Sequence, residues 1–173
     1  MRINVNNFSL EIFDDEGSEC TFYTVRVDDS AITETRKFFV KFYNDERLGK
    51  SLQTLASLIE SIGDRGALPK FFRNERIAAA LPSYGNIKIG SIEFEFDDFP
   101  LRLYCLRLSD NLVILFNGNE KTSQSAQDGK TSMVFIEANQ FAKRIMDALK
   151  SEEIMIKNDR EIVAYNGSTE LIL

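Results

Sequence analysis

Leu112-Val113-Ile114-Leu115-Phe116 is apolar at five successive positions. A β-strand built from it has no polar face to offer water, so it belongs in the middle of a sheet. Just upstream, Leu101–Leu108 is a second β-rich run, and only Ser109-Asp110-Asn111 separates the two. A short polar link between such runs is a hairpin signal, and the two are expected to lie side by side, antiparallel.

Around this hairpin the apolar period changes several times. Ile3, Val5, Phe8, Leu10 and Ile12 alternate, as do Tyr23, Val25 and Val27. With turn residues Asp14-Asp15-Glu16-Gly17-Ser18 between them, they predict an N-terminal hairpin. Asp28-Asp29-Ser30 offers a helix start, and Phe38, Phe39, Phe42 and Tyr43 follow at helical spacing. Leu48, Leu52, Leu55, Ile59 and Ile62 step by 4, 3, 4 and 3, one stripe of an amphipathic helix. Gly63 and Gly66 stand where a helix end favours a left-handed residue. A short apolar piece, Ile77–Leu81, ends at Pro82, and Ser91–Asp97 reads as a half-exposed strand. Residues 117–130 are polar and loop-like. Val134, Ala138, Phe141, Ile145 and Leu149 then mark a last helix, and residues 154–163 a terminal hairpin about Asn158-Asp159. Segregated strands and helices imply an α+β fold with a small antiparallel sheet and a helical hairpin on one face. The N-terminal hairpin and the C-terminal helix plus hairpin would be additions. We expect one domain over residues 1–173, with residues 1–29 as an appendage.

Composition then removes chemistries. The 173 residues include no histidine and two cysteines. Ser-His-Asp and Cys-His nucleophiles are therefore excluded, and a four-thiolate zinc site cannot be built. Catalysis would fall to carboxylates, Lys, Arg, Tyr, Ser or Thr. No membrane span or secretory leader is visible, and Cys20 and Cys105 read as reduced thiols of a cytoplasmic protein. No phosphate-binding glycine loop or dinucleotide fingerprint occurs, and no cofactor or metal is expected. Residues 65–130 hold nine Lys/Arg against eight Asp/Glu, in a chain of net charge -6. That half is the less acidic one, without being a basic stripe.

A lysine at Lys70, the short strand ending at Leu81, and the block Leu101-Arg102-Leu103-Tyr104-Cys105-Leu106-Arg107 come in that order. After them stand Leu112-Val113-Ile114-Leu115-Phe116-Asn117-Gly118 and Lys121-Thr122. An arginine opening an aromatic strand, a tight turn, an apolar strand and a Lys-Thr pair resemble the RelE/HigB-like toxins of bacterial type II toxin–antitoxin systems. The resemblance covers residues 48–149, the toxin-like core. It implies an endoribonuclease, working without metal, that cleaves messenger RNA by attack of a ribose 2′-hydroxyl on the adjacent phosphate, or a derived RNA-binding relative. It also implies a protein antitoxin and messenger RNA or the ribosome as partners. The alternative is a non-catalytic protein-interaction module on the same scaffold. The chain departs from the family pattern at Pro82, where many relatives place arginine, and in the long connection over residues 83–100.

By the resemblance, Arg102, Lys121 and Tyr104 are the catalytic candidates. Alternation puts Arg102 and Tyr104 on one strand face and Arg107 on the other. Arg102 would either bind phosphate or pair with Asp97 or Asp98, and Tyr104 would either act or pack. The hairpin should bring Arg102 and Lys121 within reach of one phosphate group. Lys70, Arg73, Arg76 and Arg107 are the RNA-binding candidates. With Phe71 the first three mix cations with an aromatic, which suits base stacking, although Phe71 and Phe72 would serve equally as core anchors. Glu93 and Glu95 share a strand face that reads as solvated.

Overall fold

The computed structural model describes residues 7–121 and 129–173. Alternation at the start of the chain becomes a hairpin of β1 (Phe8–Asp14) and β2 (Thr21–Val27); Ile3 and Val5 lie outside the described residues. Two helices follow, α1 (Glu34–Phe42) and α2 (Gly49–Arg65). Then come β3 (Arg73–Asn74), β4 (Ala79–Leu81) and a separate hairpin of β5 (Asn86–Ile89) and β6 (Ile92–Glu95). The central pair is β7 (Leu101–Ser109) and β8 (Leu112–Glu120). After α3 (Gly129–Lys150), β9 (Ile154–Lys157) and β10 (Glu161–Ala164) form a terminal hairpin, and β11 (Leu171–Ile172) closes the chain.

This is an α+β fold around a seven-stranded sheet of order β11-β1-β2-β8-β7-β4-β3. β7 and β8 are antiparallel neighbours in its middle, as the two apolar runs require. One face is covered by α1 and α2, the other by α3, and each interface has its own apolar core. Leu52, Leu55, Ile59 and Ile62 of the predicted stripe are buried on the α1/α2 face. At ~1.5–3 kcal/mol for each large apolar side chain removed from water, the stripe holds α2 on the sheet far more strongly than helix propensity could. Gly66 ends α2 at φ 104°, with its N–H donating to the Ile62 carbonyl at 2.7 Å.

Four expectations are corrected. The sheet is mixed, because β2 runs parallel to β8, with Thr21 opposite Leu112 and Thr24 opposite Leu115. The N-terminal hairpin is therefore no appendage but part of the main sheet. Residues 21–25 are buried at every position, which a flap with one wet face could not provide. The first helix starts at the Thr33 cap rather than at residues 28–30. Asp29 is left-handed (φ 65°), and the Arg26 guanidinium holds the Ser30 and Ala31 carbonyls in a turn. Thr33 accepts the Arg36 N–H at 3.3 Å. Finally, β8 runs on to Glu120 through residues read as loop. Residues 122–128 of that loop lie outside the described residues.

The extension of β8 needs a partner beyond β2. A bulge sets Phe116 and Asn117 opposite Tyr104 alone. Beyond Leu115, α1 takes over the strand edge. The buried Thr35 hydroxyl donates to the Phe116 carbonyl at 3.0 Å, and Lys41 donates to Asn119 at 2.9 Å.

Candidate functional site

The two faces of β7 sort the candidate residues. Leu101, Leu103 and Cys105 enter the α1/α2 core, whereas Tyr104 and Leu106 enter the α3 core. Arg102, two residues before Tyr104, shares its face. Across the sheet, Tyr104 stands opposite Ala80 of β4, and Ala80 stands opposite Arg73 of β3. Among the described residues, Ala78 and Ala80 join the α3 core from this part of the sheet, both with small side chains. The Arg73 charge is felt at the Tyr104 hydroxyl. Phe135 of α3 closes the side, its ring centre 5.6 Å from that of Tyr104. Asn139 ties α3 to the strand by accepting the Ala78 N–H at 3.0 Å.

Glu75 joins this group. Burial raises its carboxyl above the ordinary carboxylate range, with the Arg73 charge opposing the rise. Burial, helped by the Glu75 charge, also pushes the Tyr104 hydroxyl up, so the phenol stays neutral and remains a donor. Tyr104 Oη, Arg102 Nη1 and Arg73 Nε are buried and have no hydrogen-bond partner among the described residues. A buried polar atom left unpartnered costs ~1–3 kcal/mol, and three donors in this state along one face suit an anion. Arg73 also stacks on Tyr84, its guanidinium carbon 3.5 Å from the ring centre. Arg76 lies over Phe135 at 5.9 Å.

The structure thus brings Arg73, Arg76, Arg102 and Tyr104 to one face, and separates the other candidates from them. Arg107 lies on the opposite face, where it donates to the Ala67 carbonyl at 2.6 Å and pairs with Asp110. Lys70 projects over Phe71 at 5.4 Å, but Phe71 and Phe72 are buried in the α1/α2 core and offer no stacking surface. Lys121 bonds through its N–H to the Pro100 carbonyl at 2.6 Å, and its Nζ lies 3.8 Å from Asp98. So Lys121, rather than Arg102, takes the acid expected to pair with the arginine. Arg102 itself is 8% exposed, and Asn119 stands opposite it in β8.

Glu75 and Tyr84 escaped the sequence reading. A glutamate two places from Arg73 in a basic, aromatic stretch was the available signal for the first; Tyr84, alone after Pro82-Ser83, carried none. The thiols are poor nucleophiles: burial pushes Cys20 up to about 12, against the pull of Arg160 and Arg107, and raises Cys105 as well. Glu93 and Glu95 are exposed on β6. Among the described residues no group of three or more His, Cys, Asp or Glu could hold a metal ion, and no helix is long and apolar enough to cross a membrane. Comparison with protein-family models, curated proteins and solved structures finds no match to this chain.

Proposed function

We propose that the protein binds RNA and cleaves it by metal-independent 2′-hydroxyl attack, in the manner of the RelE/HigB-like toxins that the sequence resembles. The observation that carries the proposal is the convergence of Arg73, Glu75 and Tyr104 on one face, with Arg102 one pleat away. The reaction needs a base, cations for the phosphorane charge, and a proton for the leaving oxygen. Glu75 takes the 2′-hydroxyl proton, since a carboxyl raised toward neutrality is suited to proton transfer. Arg73 and Arg102 hold the phosphorane oxygens, and Tyr104 donates to one of them. The protonated Glu75 returns its proton to the departing 5′-oxygen, leaving a 2′,3′-cyclic phosphate. Tyr84, with the Arg73 guanidinium over its ring, is the platform for a neighbouring base. The proposed chemistry thus centres on Arg73, Glu75 and Tyr104 rather than on an Arg102–Lys121 pair. Messenger RNA and a protein antitoxin would then be its partners and the cytoplasm its location, where Cys20 and Cys105 stay reduced.

Regulated expression in a bacterial host tests the proposal. The wild type should arrest growth and shorten messenger RNA, whereas Glu75→Gln and Arg73→Ala should do neither while melting near the wild-type temperature. A second reading, a non-catalytic interaction module, is favoured by the burial of Tyr104, which is 0% exposed beneath α3. Harmless expression of the wild type, with RNA left intact by the purified protein, would select that reading.

A further inference from the structure

On the α1/α2 side, away from the face just described, the register of β1 on β2 passes from Ile12–Tyr23 to Asp14–Phe22, so Phe13 is an extra residue. The bulge turns Phe13 and Asp14 toward the same side. Phe13 stacks on Phe39 of α1 at 6.1 Å with 26° between the rings, and Asp14 stands beside it at the rim of a groove of about 540 Å³. Phe13, Phe39, Ala56 and Ile59 give the groove its apolar lining. Among the described residues its charged lining is acidic throughout: Asp14 at the end of β1, Glu16 in the β1–β2 turn, and Glu60 and Asp64 from α2, with neither Lys nor Arg.

The groove is built before anything enters it. The Glu19 and Cys20 N–H groups both donate to the Gly63 carbonyl, at 2.9 and 3.0 Å. A Cβ on Gly17 would lie 2.2 Å from that carbonyl oxygen, so only glycine lets the turn approach α2 this closely. From the terminal hairpin, Arg160 donates to the Ser18 carbonyl at 2.6 Å, to the Gly17 carbonyl at 2.5 Å and to the Thr21 hydroxyl at 3.1 Å. A preformed wall spares a ligand the cost of ordering it. Four carboxylates repel nucleic-acid phosphate and anionic membrane alike, and they complement lysine or arginine flanking apolar side chains. We propose that this groove docks a cationic amphipathic segment of a partner protein.

The test uses the full chain and a labelled leucine–lysine peptide of helical spacing, followed by fluorescence anisotropy, with a leucine–glutamate peptide as control. The lysine peptide should bind and the glutamate peptide should not. Binding should weaken with salt. Glu60→Lys with Asp64→Lys should lower affinity about tenfold or more, and Ala56→Arg, which fills the groove, should do the same. Reversing Glu93 and Glu95, exposed on β6, should leave affinity unchanged. Equal loss on reversal of either acid pair would reduce the effect to bulk charge and overturn the proposal, as would equal binding of the two peptides. A wild-type dimer in sedimentation that Ala56→Arg dissolves would overturn it in favour of a second copy as the occupant.

Discussion

Arg73 sits over Tyr84, its guanidinium carbon 3.5 Å from the centre of a ring that is 69% exposed. The pair shows water an aromatic plane backed by a cation, at the edge of the sheet where the strands are shortest. An exposed pair of this kind contributes only about 0.5–1 kcal/mol to folding. A base stacked on such a platform is worth ~1–3 kcal/mol. Tyr84→Ala should therefore weaken single-stranded RNA binding about tenfold, with little change in melting temperature. Arg73→Lys should weaken it too, because an ammonium has no plane to stack. Titration of a labelled oligonucleotide into each variant checks this; unchanged affinity in Tyr84→Ala would remove the platform from the site.

Glu75 links the site to pH. Burial raises its carboxyl above the ordinary value of 4.5, so the native state keeps a proton that the unfolded chain releases. Between 4.5 and the folded value the native state binds more protons, and stability falls as pH rises. Below that window the contribution is complete; above it the loss is complete. Glu75→Gln has no proton to lose there. Its stability relative to wild type should rise across the window, read from urea unfolding between about pH 4 and 8. Burial raises Glu137 as well, but both proteins carry it and it cancels in the difference. Parallel curves for the two proteins would show that Glu75 is not perturbed.

Thr24 and Thr35 join hydroxyls at 2.6 Å within the core, and Thr35 passes its own proton to the Phe116 carbonyl. This chain fixes α1 against the strand edge that β2 leaves open. Thr35→Val keeps the shape but deprives two buried groups of their partners, each costing ~1–3 kcal/mol. The melting temperature should fall by roughly 3–10 °C. Thr24→Val with Thr35→Val should recover part of the loss, because only the carbonyl is then unpaired. A double variant no better than the single one would show that volume, not hydrogen bonding, sets the cost.

The parts of this fold that were legible in the sequence are local. The α2 stripe and the β7–β8 hairpin repeat at the period of their own element, so Leu48–Ile62 and Leu101–Phe116 announce themselves. The opposite facing of Arg102 and Arg107 also follows from alternation alone. What stayed hidden depends on distant partners. β2 pairs with β8 across two helices and five strands, and Leu171 finds Leu10 from the far end of the chain. Glu75 acts on Tyr104 only because β3, β4 and β7 lie side by side in the sheet. No period in residues 73–84 encodes that pairing.

The two arginines of β7 should respond to the same substitution with opposite signs. Arg107 is partly exposed, yet it satisfies the Ala67 carbonyl and pairs with Asp110. Arg107→Met removes a charged donor from a backbone acceptor, and a loss of about 1–2 kcal/mol is expected. Arg102 is buried on the α3 face with Nη1 unpartnered, and no ion pair among the described residues includes it. Taking a cation out of water without a counter-charge is unfavourable, and apolar replacements of buried charges are often neutral or stabilising by ~1–4 kcal/mol. Arg102→Met should thus melt at or above the wild-type temperature while losing RNA binding and growth arrest. The expected separation of stability from function is a mark of a group kept for a ligand rather than for the fold. If Arg102→Met instead destabilises as much as Arg107→Met, the arginine is part of the scaffold, and the site reduces to Arg73, Glu75 and Tyr104.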